Sequence, residues 1–212
     1  MTSRAAGIVS FYIAVGIGLG ISTGRPLGVA TAAIMPCVCL VPGTRRGVFE
    51  NALAPIKEAS FRAIAYVVAD RIGGCNEWDR HVGDALQPLM SAGELKAWIY
   101  AGQEIGSHTN THPNLTRISL AEAREEIIAS KKKLEDLFGL AVNHFCYPYG
   151  AYDEAIRGLV EEAGFSSACT TSPGVNRLPV NRFELKRLTA RYASRNLKSY
   201  WNRIREAVAS FR

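Results

Sequence analysis

The sequence predicts an α/β fold in which a mostly parallel sheet curls into a barrel, with helices on its outer face. From residue 45 onward, short apolar runs of strand length alternate with amphipathic stretches of helical period. Such alternation is typical of βαβ units, whose crossover connections are right-handed. Two chemically active residues, His108 and Tyr149, stand at the ends of predicted strands. In a barrel of this kind the active site lies at the carboxyl ends of the strands.

The first half of the alternation contains two helices and two strands. Residues 48–60 have helical period, and the apolar run at 61–70 is short enough for a buried strand. The turn-forming residues of 71–83 then predict a loop. A helix over 94–103 and a strand over 104–108 follow, and the strand leads directly into the first histidine of interest.

The second half is introduced by a well-marked helix. Ser119 and Glu122 form a predicted capping box, and Gly139 stands past the end of the same helix. The remaining predicted elements are a strand at 141–150, a helix at 151–164, a strand at 165–171, a short strand near Leu185 and a C-terminal amphipathic helix.

The first 44 residues differ in composition from the rest, so we divide the chain into regions 1–44 and 45–212. The uncharged run 5–23 has the length of a short membrane span and also resembles the apolar part of a signal peptide. Either interpretation predicts a protein of the cell envelope or a membrane contact through this segment; otherwise we expect a cytoplasmic protein. The alternatives are that the run packs on the core beside a buried strand at 30–41, or that it is an aberrant start.

Composition indicates an ordinary globular domain, because 48% of the residues are hydrophobic and 21% are charged. The net charge of +6 would suit an anionic partner. The basic residues, however, mostly alternate with acidic ones on helix faces, so we expect no nucleic-acid partner. The five cysteines show no C-x-x-C spacing, which argues against a disulfide framework or a thiolate zinc site.

His108 and His112 form an H-x-x-x-H pair that can direct two imidazoles at one divalent cation. Pro113 follows the pair, which favours a loop after a strand over the middle of a helix. Catalytic zinc sites commonly use three protein ligands, so a carboxylate is expected in addition. The candidates are Asp70, Asp79, Asp84 and Asp153. Asp70 is favoured because it ends a predicted strand.

The stretches "AGQEIGSHTNTHPNLTRIS" and "HFCYPYGAYDEAIRGLVEEAGF" resemble blocks of the polysaccharide deacetylase family, carbohydrate esterase family four, whose domain is called the NodB homology domain. The resemblance extends over about residues 43–190. It implies a distorted, incomplete (β/α) barrel. It also implies a metal-dependent hydrolase that removes N-acetyl groups from amino-sugar polysaccharides or oligosaccharides. His108 and His112 would then be ligands of a divalent metal, commonly zinc.

The resemblance also implies roles outside the histidine pair. "CYPY" matches the R-x-P-Y motif of the family, with Cys146 in place of the arginine. Pro148 and Tyr149 are therefore candidate catalytic residues, and the Tyr149 backbone N–H would form the oxyanion hole. Arg187 resembles a late arginine of one branch of the family and is the third candidate. The family's late general-acid histidine has no match, since no histidine follows His144.

The family's T-F-D-D-G motif is absent, because Val41 and Pro42 stand where its two aspartates belong. Neither side chain can ligate a cation or accept a proton. Three hypotheses remain open. The chain is a deacetylase whose metal site another carboxylate such as Asp70 or Asp79 completes, or it is a catalytically impaired deacetylase-like protein that binds glycan or metal. The third hypothesis is a membrane-anchored envelope protein in which residues 5–23 are the anchor.

The expected partner is an N-acetylated carbohydrate, and Tyr147 and Trp78 are the candidate substrate-binding residues. Trp78 lies in a loop after a strand, where its indole could stack on a sugar ring. A contact that anchors this loop to the core explains the residue equally well.

Overall fold

The computed structural model describes residues 11–14, 37–40, 44–58, 61–82, 85–174, 176 and 179–190. In these ranges seven strands follow one another in chain order around a closed barrel. They are β1 Phe11–Ala14, β2 Cys37–Leu40, β3 Arg62–Val67, β4 Glu104–Ser107, β5 His144–Cys146, β6 Ser167–Pro173 and β7 Leu185–Ala190. The helices of the same ranges are α1 Arg46–Glu58, α2 Ala92–Tyr100, α3 Leu120–Phe138 and α4 Glu154–Glu162.

The barrel is incomplete by comparison with a regular eightfold one. Strands β2 to β7 run parallel to one another, whereas β1 is antiparallel to both β2 and β7. Helices α1 to α4 connect successive strands from β2 to β6. The predicted distorted, incomplete (β/α) barrel is therefore confirmed, with an antiparallel strand at the point of closure.

The local sequence signals predicted both ends of α3 at the correct residues. The Ser119 hydroxyl accepts from the Glu122 N–H, and the Glu122 carboxylate accepts from the Ser119 N–H at 2.9 Å. Gly139 ends the helix with φ of 67°, a left-handed conformation that glycine adopts without steric cost. β3 ends at Val67, earlier than the predicted end at 70, because the chain turns there into the 3₁₀ turn Ala69–Arg71. The second 3₁₀ turn, Glu77–Val82, lies in the predicted loop.

Strands from both sides of the predicted boundary at residue 44 share one sheet. β1 lies within the apolar run 5–23 and β2 lies within 30–41. Cys39 of β2 pairs with Ile64 of β3, so the described residues of the N-terminal region form part of the barrel. None of the helices described here is long and apolar enough to cross a membrane. The predicted C-terminal helix lies outside the described residues.

The pleat of β3 divides the protein into two apolar layers. Ala63, Ala65 and Val67 belong to the large core under the helices, whereas Ile64 and Tyr66 pack in a second cluster with the two cysteines of β5 and β6. At the next strand, a Cβ on Gly106 would lie 2.6 Å from the Tyr66 ring. Only glycine fits there. The carboxyl ends of β3, β4 and β5 are neighbours, since Val67, Ser107 and Phe145 are register partners.

Candidate metal centre and adjoining cleft

The loops that follow β3 and β4 are joined by backbone hydrogen bonds. The His108 N–H donates to the Val67 carbonyl at 2.9 Å, which extends the sheet by one residue beyond β4. The Ala69 N–H then donates to Thr109 at 3.0 Å, and the Asp70 N–H donates to Asn110 at 2.9 Å. This pairing fixes the first half of the histidine loop, residues 108–112, against the neighbouring strand end.

The two histidines converge. Nε2 of His108 lies 3.1 Å from Nε2 of His112, and both residues are buried, with 1% and 5% of their surface exposed. On the other side of its ring, Nδ1 of His108 lies 2.6 Å from the Cys146 carbonyl oxygen. A carbonyl only accepts hydrogen bonds, so we assign the proton to Nδ1. The Nε2 lone pair of His108 then points toward His112.

Burial keeps this pair neutral. It lowers the pKa of His112 to about 4, although the charge of Asp79 acts in the opposite direction. Burial is also the largest cause that holds the pKa of His108 well below its usual range, and the nearby His112 and Arg187 lower it further. Neutral imidazole is the form that binds metal ions, so the site is in its ligating state at neutral pH.

The spacing of the pair suits one zinc ion. Two nitrogens that each lie about 2.0 to 2.1 Å from a tetrahedral zinc are about 3.3 Å apart, close to the observed 3.1 Å. The contact from His108 Nδ1 to a backbone carbonyl is the usual support of a ligating histidine. Yet the described part of the chain has no group of three His, Cys, Asp or Glu side chains that could hold a metal ion. The residues present supply two ligands.

The candidate carboxylates are not equivalent. The favoured Asp70 pairs with Lys133 of α3, and Asp153 caps α4 by accepting from the Ile156 N–H at 2.9 Å. Asp84 lies outside the described residues. Asp79 is the one whose charge raises the pKa of His112 and of the Tyr149 hydroxyl, the latter after burial as the larger cause. None of the described candidates forms a three-ligand group with the two histidines, and Asp79 is the one whose charge reaches His112.

Asp79 is held by two neighbours. Its Oδ2 accepts from Asn76 Nδ2 at 2.8 Å and lies 3.3 Å from Arg45 Nη2. The Asn76 side chain is buried and its Oδ1 accepts from the Gln87 N–H, so this amide links the turn to the chain that follows it. The carboxylate therefore belongs to an ordered turn beside the histidines.

Aromatic rings enclose His112. The Trp78 indole stacks on its imidazole, with ring centroids 4.6 Å apart, and the Tyr149 ring meets it edge-on at 4.9 Å. Tyr149 is 46% exposed, and Trp78 is half-buried. Two aromatic rings therefore cover His112, and the Tyr149 ring is the more exposed of the two.

Sequence comparison assigns this site to a known family. A family model described as polysaccharide deacetylase matches residues 41–168, more than half of the chain. The chain belongs to the polysaccharide deacetylase family. The match begins within the segment that carries Val41 and Pro42 and includes the whole histidine loop and "CYPY".

Individual relatives match over shorter lengths. YxkH of Bacillus subtilis strain 168 is 22% identical over 140 residues, which are 66% of this chain and 46% of that protein. A chitooligosaccharide deacetylase of Azorhizobium caulinodans is 39% identical over 64 residues, or 30% of each chain. The chain thus spans less than half of the length of these relatives. The structure of IcaB from Ammonifex degensii has a similar fold, with 18% identity and a TM-score of 0.62 over 77% of this chain and 68% of that one.

The polysaccharide deacetylase motif "CYPY" forms a tight turn at the end of β5. Pro148 begins the turn and is buried, and Tyr149 has φ of 58°, a left-handed conformation that is uncommon for a non-glycine residue. Thr171 donates its hydroxyl to the Tyr149 carbonyl at 3.2 Å. A Cβ on Gly150 would lie 2.1 Å from the same hydroxyl, so only glycine permits this contact.

Tyr147 and Arg187 are buried behind this turn. Tyr147 has no exposed surface, and its hydroxyl donates to the Phe183 carbonyl at 3.1 Å. It is a packing residue, so Trp78 is the substrate-binding candidate that the structure leaves near the surface. Arg187 is 1% exposed and donates from Nε to the Thr170 carbonyl. Its charge is close enough to His108 to lower the pKa of that imidazole.

Sequence reasoning missed one residue that contacts the histidine loop. Glu126 stands on α3 in a run of alternating charges, which predicts a solvated face. Its carboxylate instead accepts hydrogen bonds from the histidine loop. No local spacing indicates this contact, because the loop and Glu126 meet only after α3 packs against the barrel.

Proposed function

We propose that this protein hydrolyses the N-acetyl groups of an amino-sugar polysaccharide or oligosaccharide, with a divalent cation, most simply zinc, held by His108 and His112. The observation that carries the proposal is the convergence of two buried, neutral imidazoles at 3.1 Å between their Nε2 atoms. Membership of the polysaccharide deacetylase family supports the reaction class. Chitooligosaccharide deacetylases among the relatives support an N-acetylated sugar as the substrate.

In this proposal a bound cation supplies Lewis-acid polarisation of the acetyl carbonyl. The Tyr149 backbone N–H donates to the oxyanion that develops on that carbonyl oxygen, and one such donor contributes on the order of 3 kcal/mol. Trp78 and Tyr149 provide the aromatic faces against which a sugar ring packs. Pro148 fixes the start of the turn that presents Tyr149. Burial is the main cause that lowers the pKa of His108 and keeps its imidazole in the ligating form, and the charge of Arg187 lowers that pKa further.

The proton acceptor has to come from a residue outside the usual motif, since Val41 and Pro42 replace both aspartates. We assign this part to Asp79, because its charge acts on both His112 and Tyr149. Loss of a general base typically costs about 10² to 10⁴ in rate. The assignment therefore predicts a large loss of activity in Asp79→Asn.

A second function is favoured by a specific observation. The described residues supply only two metal ligands, and the sequence lacks both motif aspartates. A family member with this set would bind a glycan or a metal ion with little or no turnover. This catalytically impaired protein is the alternative to the hydrolase.

One experiment separates the two functions. Zinc content is measured by elemental analysis on the purified full chain, and acetate release from an N-acetylglucosamine oligomer is followed on the same samples. His108→Ala is compared with His144→Ala, since His144 pairs with Glu104 and Ser167 outside the histidine pair.

The hydrolase predicts stoichiometric zinc and acetate release, both lost in His108→Ala and kept in His144→Ala. Zinc without acetate release would support the impaired protein instead. Absence of both in the wild type would contradict the assignment of His108 and His112 as a metal site.

A further inference from the structure

We propose that Glu126 is a positioning residue, whose carboxylate holds the histidine loop in the conformation that brings His112 to His108. The inference deepens the proposed function, because it assigns a support to the pair that would hold the cation. Glu126 lies on α3 and contacts neither histidine ring directly. It acts through the loop backbone.

Three hydrogen bonds join this carboxylate to two successive loop residues. Oε2 accepts from the Asn110 N–H at 2.8 Å and from the Thr111 N–H at 2.9 Å. Oε1 accepts from the Thr111 hydroxyl at 2.7 Å. One side chain therefore fixes the middle of the five-residue loop 108–112, and bonds of this kind to an ionised acceptor are shorter and stronger than neutral ones.

The loop conformation requires such support. Thr109 has φ of 66° and His112 has φ of 71°, so two non-glycine residues adopt the left-handed conformation within four positions. This conformation brings Cβ close to the following carbonyl and is disfavoured for L-residues. A β-branched residue such as Thr109 is especially uncommon there. External contacts must therefore hold the loop in place.

The other contacts of the loop bind different backbone groups from those that Glu126 binds. The backbone of Ala69 and Asp70 binds the carbonyls of Thr109 and Asn110, and the Thr109 hydroxyl accepts from the His112 N–H at 3.0 Å. The N–H groups of Asn110 and Thr111 face the opposite direction, toward α3, where Glu126 accepts them. Without this carboxylate both donors would lose their partner, and the two peptide units would be held through their carbonyl oxygens alone.

The test compares Glu126→Ala, Glu126→Gln and the control Glu125→Ala in the full chain. Glu125 is the adjacent, exposed residue of α3, so its replacement removes the same charge from the same helix. Zinc affinity is measured by calorimetric titration. Amide hydrogen exchange at Asn110 and Thr111 is measured by NMR on zinc-free protein.

We expect Glu126→Ala to weaken zinc binding by about 10- to 100-fold, the usual effect of losing a support of the ligand set, and to accelerate exchange at the two amides. Glu126→Gln should lose less than about tenfold in affinity, since its amide oxygen can accept from both N–H groups while its NH₂ donates to the Thr111 hydroxyl. Glu125→Ala should match the wild type in both measurements.

Equal affinity and equal exchange in Glu126→Ala and Glu125→Ala would overturn the proposal. So would faster exchange spread over the whole sheet, because that pattern reports general destabilisation. If the wild type binds no zinc, the metal assignment fails by itself. Faster exchange confined to the loop in Glu126→Ala, restored in Glu126→Gln, would still support the positioning role.

Discussion

Two segments meet over His112, and they are built differently. The histidine loop, residues 108–112, is held by backbone hydrogen bonds to Val67, Ala69 and Asp70 on one side and to Glu126 on the other. The segment that follows these contacts, residues 71–82, ends in the 3₁₀ turn Glu77–Val82. Its ionic contacts, Arg71 with Glu77 and Arg45 with Asp79, lie in partly exposed surroundings. Exposed pairs of this kind contribute about 0.2 to 1 kcal/mol each.

The two histidines are therefore held more firmly than the side chains that surround them. The two imidazoles are buried, and the loop that carries them contains two left-handed residues, each of which costs about 1 to 2 kcal/mol. Trp78 and Asp79 approach the same imidazole from the segment whose ion pairs are partly exposed. Such pairs contribute little to stability. We therefore expect changes at the histidines to affect the free energy of unfolding more than changes at Trp78 or Asp79.

The largest expected effect is a loss of stability at acid pH. The pKa of His112 is about 4 in the folded protein, against an ordinary value of 6.5. The unfolded chain therefore binds a proton first as the pH falls, which stabilises the unfolded state between pH 6.5 and 4. In metal-free protein the free energy of unfolding should fall by about 3 kcal/mol over this window, at 1.36 kcal/mol per unit of pKa.

Urea unfolding at several pH values measures this effect. Other carboxyl groups also titrate near the lower end of the window, so the comparison is with His112→Gln, which cannot bind the proton. The wild type should lose stability more steeply than the variant from pH 6.5 to 4. Parallel plots of unfolding free energy against pH would show that burial of this imidazole has no energetic consequence. The histidine loop would then not be the more rigid of the two segments.

A smaller effect is expected from the contact that joins the two segments. Trp78→Ala removes the indole stacked on His112, and an aromatic pair contributes about 0.5 to 1.5 kcal/mol beyond its buried area. We expect the free energy of unfolding to fall by about 1 to 2 kcal/mol, with most of it recovered in Trp78→Phe. Urea unfolding is the measurement, and Tyr100→Ala is the control because Tyr100 is 95% exposed.

If Trp78→Ala unfolds like Tyr100→Ala, the stack contributes nothing and the indole is available for a sugar ring alone. If Trp78→Ala loses stability and Trp78→Phe does not recover it, the size of the indole is the cause of the loss. Either result would refine the comparison between the two segments.

The fold was largely predictable because its signals are local. The capping box at Ser119 and the glycine at 139 gave both ends of α3, and alternating periods gave the order of strands and helices. These features depend on residues within four positions of one another. The same holds for the histidine pair itself, since both imidazoles lie on one short loop.

The surroundings of the pair were not predictable in the same way. Trp78 and His112 are 34 positions apart in the sequence, and they stack only because the ends of β3 and β4 are neighbours. Asp70 was favoured for standing at a strand end, but the side chain of Lys133 on α3 pairs with it. A position along a strand indicates the edge of the sheet on which a residue lies. It does not indicate the partner of its side chain, which long-range packing selects.

The smallest expected effect on stability concerns Asp79 and Asp70. It also tests which of these two carboxylates acts on His112. Asp79→Asn removes a partly exposed ion pair with Arg45 and keeps an oxygen for Asn76, so the free energy of unfolding should change by less than about 1 kcal/mol. The pKa of His112 should nevertheless fall further, because the charge of Asp79 raises it. NMR titration of the imidazole protons in zinc-free protein measures this shift, with Asp70→Asn as the matched control. Asp70 faces Lys133, so its replacement should leave the pKa of His112 unchanged. If Asp70→Asn moves that pKa and Asp79→Asn does not, the carboxylate that acts on His112 comes from the turn directly after β3, and the turn Glu77–Val82 contributes only the Trp78 indole.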